Sequence, residues 1–387
     1  MRIDKLSLLN FRNHIDTTLE FSPQINVLWG NNGVGKTSVL EAISMCSITK
    51  SFVPTADVSL INKDAKNFAT TAYCTNELNT PYKISISYSV RERKLINSSI
   101  GNKLLPKEII GEIPLVVLSP DNKCITNGSP EFRRNFVNGI LSQSNKYYLD
   151  KLYEHRRILK QRNSVLQQLG KEMNPTQQLL LYLEQWTALF INTNAEIVLR
   201  RNEFINEFNP YFVDAYRIVS NSKEDVKLVY QPDSLSNADF SGIDAKDNIK
   251  NELQARATSL QSTEIRRMTT MFGMQKDDLK ILLNGGIARE FASQGQHKSL
   301  LIALKFAEFR YLLAKKSETP IILFDDIFSE LDKERVAKVI NLLADSNAQI
   351  FITLTEPDIL DVATNIIKKF IQITDKNTTE KCNEYNQ

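Results

Sequence analysis

Gly30-Asn31-Asn32-Gly33-Val34-Gly35-Lys36-Thr37 is the stretch on which the reading of this chain turns. It meets G-x-x-x-x-G-K-[ST] at every fixed position. Its setting fits too. Ile25–Trp29 is a short apolar run that reads as a buried strand entering the loop. Ser38, Val39, Leu40, Ala42 and Ile43 begin a helix that leaves it. Glycines let backbone N–H groups converge on phosphate oxygens with no Cβ in the way, and the helix N-terminus adds a partial positive charge. Lys36 reaches the β and γ phosphates, and the Thr37 hydroxyl ligates Mg²⁺. The expected ligands are therefore ATP and Mg²⁺. The expected contacts are Gly30, Asn31, Asn32, Gly33, Val34, Gly35, Lys36, Thr37 and Ser38. A glycine-rich turn that matched by chance would lack the strand before and the helix after.

A second strand supplies the acid. Ile321-Ile322-Leu323-Phe324 runs into Asp325-Asp326, an apolar strand ending in two carboxylates. Asp325 is placed to hold Mg²⁺, and Asp326 to orient or deprotonate the attacking water; Asp326 and Lys36 are thus the expected catalytic pair. Two aspartates after a strand also cap helices, and it is the phosphate loop that favours the nucleotide reading.

Ser293-Gln294-Gly295-Gln296 opens a long apolar helix 32 residues before Asp325. Ser293 suits an N-cap, and Gly295 admits close approach of a ligand. By its place the segment resembles the signature of ABC-type ATPases, which presses on the γ-phosphate held by a second subunit. Ser329-Glu330-Leu331-Asp332 resembles the D-loop of that class, with Ser329 and Asp332 as its polar members. The resemblance implies an ATP-dependent homodimer in which nucleotide acts as glue.

The rest of the chain sets the frame. Strand-type alternation fills the N-terminal part, as in Ile84, Ile86, Tyr88 and Val90. Leu115–Leu118 is another short buried strand. Helical periodicity follows in Leu152, Leu159 and Leu166, then in Leu179, Leu183, Trp186, Phe190, Thr193 and Ile197, with a turn at Gly170–Thr176. A polar loop over Gln231–Asn248 precedes a helix ending near Met268. Leu279–Leu283 and Ile287–Phe291 flank Asn284-Gly285-Gly286 as a hairpin. Strand-rich, helical, strand-rich: the expected fold is an α/β ABC-type ATPase head (a P-loop NTPase), 1–129 and 270–387, with a mainly α-helical second lobe, 130–269, inserted.

Of 387 residues, 42% are hydrophobic, ample for a core. The net charge of +3 and pI near 8.5 leave room only for a local nucleic-acid patch. Four scattered cysteines at 46, 74, 124 and 382 suit a reducing compartment rather than disulfides or zinc. With neither a signal segment nor a span-length apolar run, the expectation is a cytoplasmic protein that does not engage the membrane.

Longer matches narrow the class. Leu9-Asn10-Phe11-Arg12-Asn13, the phosphate loop running into Leu40-Glu41-Ala42-Ile43, and Pro130-Glu131-Phe132-Arg133-Arg134 resemble the RecF family in kind and order. So do Lys160-Gln161-Arg162-Asn163, Ala292-Ser293-Gln294-Gly295-Gln296, and Phe324-Asp325-Asp326-Ile327-Phe328-Ser329-Glu330-Leu331-Asp332. The resemblance spans nearly the whole chain. It implies a head like those of SMC proteins and ATP-dependent dimerisation on gapped, single-stranded and duplex DNA. It further implies cooperation with RecR and RecO in placing RecA. The chain departs from the family at Gly273-Met274-Gln275-Lys276-Asp277-Asp278, where Gly-Pro-His-Arg-Asp-Asp is usual, and at Asn138, where Asp is usual. Another ATP-switched SMC-like DNA protein is the alternative. A transporter subunit is disfavoured by the 257 residues between Lys36 and Ser293.

For DNA, the basic helix from Lys146 to Arg162 offers Arg156, Arg157, Lys160 and Arg162, and Arg12, Arg133 and Arg134 are further candidates. Such side chains neutralise phosphates without reading bases. A solvated helix face or internal ion pairs would give the same charge count.

Overall fold

The structure is a computed structural model and describes residues 1–172, 176–220, 223–235, 240, 242, 244–327, 347–356 and 368–374. In chain order it forms β1 (Arg2–Phe11), β2 (His14–Glu20), β3 (Ile25–Trp29), α1 (Lys36–Ile48), β4 (Asn67–Thr75), β5 (Pro81–Ser89) and β6 (Leu95–Ser98). Next come α2 (Pro106–Ile109), β7 (Leu115–Leu118), α3 (Cys124–Asn127), α4 (Pro130–Ser144), α5 (Lys146–Leu169), α6 (Gln177–Ser220), β8 (Val226–Gln231) and α7 (Ala245–Arg267). The order ends with β9 (Asp278–Leu283), β10 (Gly286–Ile287), α8 (Ala288–Phe291), α9 (Gln294–Lys315), β11 (Ile321–Asp325), β12 (Ile350–Leu354) and β13 (Lys368–Gln372).

The chain divides into two compact units. One comprises Met1–Lys123, Asp214–Ser222 and Lys298–Gln387, and the other Cys124–Val213 and Lys223–His297. In the first, β1, β2, β4, β5 and β6 make an antiparallel sheet in the order β2-β1-β4-β5-β6. A parallel sheet runs β13-β3-β12-β11-β7. The two strands that carry the nucleotide motifs, β3 and β11, both pair with β12, so residues about three hundred positions apart in sequence end at one edge. Every residue of β11 is buried, which is why it reads as an unbroken apolar run rather than an alternation. Helix α1 is buried nearly all round, with apolar Val39, Leu40, Ala42, Ile43 and Met45 among its buried residues. They pack into one core with Ile3, Leu6 and Leu8 of the antiparallel sheet and with Leu28, Leu323 and Phe351 of the parallel one. Each such side chain contributes about 1.5–3 kcal/mol by leaving water. The helix that receives the phosphate loop is thus held from both sheets.

The second unit holds α4, α5, α7, most of α6, and a small sheet ordered β10-β9-β8. Near the α5–α6 turn, Val165, Leu166, Leu169 and Leu183 pack together with Leu179, Trp186 and Ile265 against them. The hairpin expected over Leu279–Phe291 is only partly present. Its second strand stops at Ile287, and Ala288–Phe291 forms a helical turn, as its good helix formers favour. The main partner of β9 is β8. That strand has buried Val226 and Leu228 around exposed Lys227, an alternation too short to stand out in sequence.

Cys46 and Cys74 are buried free thiols, and burial pushes Cys46 up to about 12 and Cys74 further, so neither is poised to react. Cys124 is also free, and Cys382 lies outside the described residues. Among the described residues, no helix is long and apolar enough to cross a membrane.

Candidate nucleotide site

Strand β3 delivers the chain into Gly30 with φ +147°, where an added Cβ would lie 2.4 Å from the Ile373 carbonyl oxygen. Gly35 takes φ +103° and serves as the N-cap of α1 without any side-chain cap, leaving the helix N–H groups to a ligand. The loop is gripped from outside by the β1–β2 turn. Asn13 Nδ2 donates to Gly33 O at 2.6 Å, and His14 Nε2 lies 3.1 Å from Gly35 O. These bonds tie two loop carbonyls to the β1–β2 hairpin. His14 is buried, which lowers its pKa against the Gly35 hydrogen bond. Because a carbonyl oxygen only accepts, Nε2 donates to Gly35 O, and Nδ1 lies 3.1 Å from Thr17 Oγ1.

Lys36 folds back over the loop and donates to Gly30 O at 2.7 Å and Asn31 O at 2.8 Å. Burial lowers its pKa, opposed first by the charge of Asp326 and then by that of Asp325. The lysine and both carboxylates thus share one field. Thr37 Oγ1 donates to Asp325 Oδ1 at 2.8 Å across 288 residues of sequence. Burial raises the pKa of Asp325, and the hydrogen bonds from Thr37 and Thr353 offset that rise. A hydroxyl and a carboxylate in contact are the hard oxygen donors that Mg²⁺ accepts, with phosphate and water completing its shell. The pair therefore fits Mg²⁺. Asn32, Val34 and Ser38 lie in the same loop and first helical turn; Val34 and Ser38 are buried.

Ser293 and Gln296 form a reciprocal cap at the start of α9. Ser293 N donates to Gln296 Oε1 at 2.7 Å, and Gln296 N donates to Ser293 Oγ at 3.2 Å. Gln296 Nε2 also donates to Glu224 Oε1 at 2.6 Å. Gln294 and Gly295 sit between them in the first turn. Ser329 and Asp332, the expected D-loop members, lie outside the described residues.

The basic candidates separate sharply by their surroundings. Arg12 is locked bidentate to Glu41, at 3.0 and 2.7 Å. Arg133 is bidentate to Asp278, at 2.8 and 3.0 Å, and is only 4% exposed. Arg162 is fully buried against Glu264. Arg133 and Arg162 are thus buried against internal carboxylates, whereas Arg12 is paired but remains about a quarter exposed. Arg134 is half-buried, donates to Asp277 O at 2.8 Å, and has its pKa lowered by burial and by Arg201. Arg156, Arg157 and Lys160 are exposed on α5. Arg156 and Lys160 line an open groove of about 530 Å³ with Leu159, Asn163, Ser164 and Gln167.

Sequence reasoning missed the grip of His14 on the loop and the contacts of Thr353 with Asp325 and Asp326. His14 adjoins a quoted motif, but its contact with Gly35 depends on the hairpin register. Thr353 needs the β11–β12 pairing to be seen.

Residues 5–387 match the AAA domain family model. The chain is 38% identical over 358 residues to the DNA replication and repair protein RecF of Prosthecochloris aestuarii, spanning 92% of this chain and 94% of that protein. To the RecF of Chloroherpeton thalassium it is 36% identical over 360 residues, 92% and 95% of the two chains. Its fold superposes on the recombination mediator protein RecF-ATP of the RecFOR pathway with a TM-score of 0.87, 27% identity, and 98% and 97% of the two chains covered. The RecF-ATPrS form gives a TM-score of 0.88 at 26% identity and 98% of both chains. An Smc head bound to the C-winged helix domain of ScpA superposes at 0.54 with 17% identity, a likeness of fold. The chain therefore belongs to the RecF family of DNA replication and repair proteins and is an ABC-type ATPase.

Proposed function

We propose that this protein is an ATP-switched DNA-binding mediator of recombinational repair and replication-fork maintenance. The carrying observation is the Thr37–Asp325 hydrogen bond of 2.8 Å, which joins phosphate loop and acidic strand into one metal-binding edge. In this reading Gly30 to Ser38 wrap the phosphates of ATP, Lys36 neutralises the β and γ groups, and Thr37 with Asp325 holds Mg²⁺. Bound Mg²⁺ supplies charge neutralisation at the γ-phosphate. Asp326 orients water or takes its proton.

ATP serves as a dimerisation switch, and turnover is slow. Ser293, Gln294, Gly295 and Gln296 of one subunit complete the nucleotide site of the other, with Ser329 and Asp332 at the same junction. The working division is 1–129 with 270–387 for nucleotide and 130–269 for the helical lobe.

Gapped, single-stranded and duplex DNA are bound through phosphates by Arg156 and Lys160, which line one groove, and by exposed Arg157 on the same helix, with half-buried Arg134 a lesser contributor. The solved RecF neighbours of the RecFOR pathway support cooperation with RecR and RecO and, through them, delivery of RecA. This activity belongs in the cytoplasm, with the chromosome. The deciding experiment measures binding to gapped and blunt duplex DNA, with and without ATP, at two salt concentrations. ATP-dependent, salt-sensitive preference for gapped DNA is expected; binding indifferent to ATP would overturn the reading.

A further inference from the structure

Thr353 stands one strand away from the paired carboxylates, opposite Asp325 in the last pair of the β11–β12 ladder. Its hydroxyl makes two bonds of 2.9 Å. Oγ1 donates to Asp325 Oδ1 and accepts from the backbone N–H of Asp326. The Phe324 carbonyl is farther, at 3.5 Å, so the single hydroxyl proton belongs to the carboxylate. Thr353 is 1% exposed; water has little room to replace it.

The second bond bears on a backbone oddity. Asp326 has φ +48°, the left-handed region that side chains other than those of glycine and asparagine seldom adopt. Aspartate enters this region more readily than most side chains, and here the surroundings hold it there. Asp326 lies just past the ladder, and the Thr353 hydroxyl catches the N–H that the ladder no longer pairs. The two adjacent carboxylates have different neighbours. Asp325 meets Thr37, while the charge of Asp326 is the stronger of the two on Lys36.

We propose that Thr353 is a positioning residue for ATP hydrolysis: one buried hydroxyl aims the Mg²⁺-holding carboxylate of Asp325 and fixes the backbone turn that aims Asp326. The proposal rests on the roles given above to Asp325 and Asp326. It says that the two carboxylates are set by a common hydroxyl and do not orient independently.

Thr353→Val removes the hydroxyl at nearly constant volume, and Thr353→Ser keeps it. Three quantities are measured for each: kcat and KM for ATP, affinity for a fluorescent ATP analogue in EDTA, and the Mg²⁺ concentration that half-saturates the analogue complex. For Thr353→Val, kcat should fall about 10–100-fold and the Mg²⁺ half-point rise about tenfold, the usual cost of losing a partner behind a metal ligand. Analogue affinity in EDTA should not change, and Thr353→Ser should restore both losses. Wild-type kcat and Mg²⁺ half-point in Thr353→Val would overturn the proposal. So would a Thr353→Ser protein as impaired as Thr353→Val, since packing rather than the hydroxyl would then matter. If Thr353→Val does not fold, Thr353→Ala takes the same measurements under the same criteria. Asp326→Asn run alongside separates the two levels. Normal turnover there removes the underlying reading of the carboxylates; impaired turnover there with a silent Thr353→Val removes only this proposal.

Discussion

Removing the Glu264 side chain tests whether the most distinctive helix motif of the chain serves as frame. Arg162 donates to Glu264 through Nη2 at 2.7 Å and Nη1 at 3.2 Å, to Thr187 through Nε at 3.0 Å, and to Thr270 at 2.8 Å. Its guanidinium also lies 5.6 Å from the Phe190 ring and 5.1 Å from that of Phe272. Both charges are essentially dry, 1% and 0% exposed. Glu264→Ala leaves a buried cation with neutral partners only, and it orphans the Met271 N–H that Glu264 accepts at 2.6 Å. Breaking such a pair from one side costs about 3–5 kcal/mol. Arg162→Leu should cost a similar amount. The double replacement Arg162→Leu with Glu264→Leu should cost well under the sum, because no buried charge remains. Urea unfolding followed by Trp186 fluorescence reads this directly, since Trp186 packs on the neighbouring core of the same unit; a Trp29→Phe background removes the other tryptophan signal. A Glu264→Ala loss below about 1 kcal/mol, or single losses that simply add in the double variant, would refute the framing role.

Three further outcomes follow from the same geometry. Changing Arg156, Arg157 and Lys160 together to Ala should weaken binding to all DNA sequences alike and reduce the steepness of log K against log salt by about 2 to 3 for duplex; titration at four salt concentrations checks this, and an unaltered slope returns the helix to a solvated face. Ser293→Arg should bind ATP nearly normally yet fail to dimerise with it, whereas Asp326→Asn should dimerise and persist as a dimer; sedimentation with and without ATP separates them, and ATP-driven dimers of Ser293→Arg would sink the trans assignment. Burial, then the charges of Arg201 and Arg156, push His155 down to about 3, so the unfolded chain takes up a proton below about pH 6.5 that the fold refuses. Stability tied to His155 is present above pH 6.5 and is lost as pH falls toward 3; His155→Leu should flatten the denaturation midpoint between pH 6.5 and 5, and an equally steep fall would exclude this histidine as the cause.

What was legible in the sequence was whatever has a local physical cause. The phosphate loop announces itself because strand, glycines and helix are consecutive. Helix α9 begins at Gln294 as read, because Ser293 and Gln296 cap each other within one turn. Leu115–Leu118, Ile321–Asp325 and Ile350–Leu354 stand out because strands buried on both faces are unbroken apolar runs. What was not legible depends on pairing. Strand β8 gains its identity from β9, and Thr353 gains its partners from β11. Charge counting does not see pairing for the same reason. Arg133 and Arg162 look like free cations until Asp278 and Glu264, more than a hundred positions away, are brought against them.

This separation of local from paired signals also divides the motifs by role. The loop and acidic strand, generic to their superfamily, hold the candidate chemistry. Two of the stretches that carry the closer resemblance to RecF, Pro130-Glu131-Phe132-Arg133-Arg134 and Lys160-Gln161-Arg162-Asn163, hold the frame. Arg133 fixes the start of α4 to Asp278. Lys160-Gln161-Arg162-Asn163 places Arg162 on Glu264, while Asn163 Oδ1 takes both the N–H and the hydroxyl of Thr270, at 2.8 and 2.7 Å. The two departures from the family pattern fall in that frame. Asn138 Oδ1 still accepts from the Tyr148 hydroxyl at 2.7 Å and from Arg201 at 3.0 Å. Arg201 in turn holds Asp277 at 3.0 Å, and Asp277 also accepts from the Tyr230 hydroxyl. A carboxylate at 138 would bring a second negative charge to this buried arginine; the amide keeps the two acceptor contacts without the cost of burying that charge. Gln275, where the family has His, donates to Phe272 O at 2.6 Å, a backbone bond that an imidazole N–H could also make. Asn138 and Gln275 make their hydrogen bonds within the helical unit, and none of the departures touches Lys36, Thr37, Asp325 or Asp326. Their consequences should therefore appear in unfolding of that unit, with ATP turnover set elsewhere.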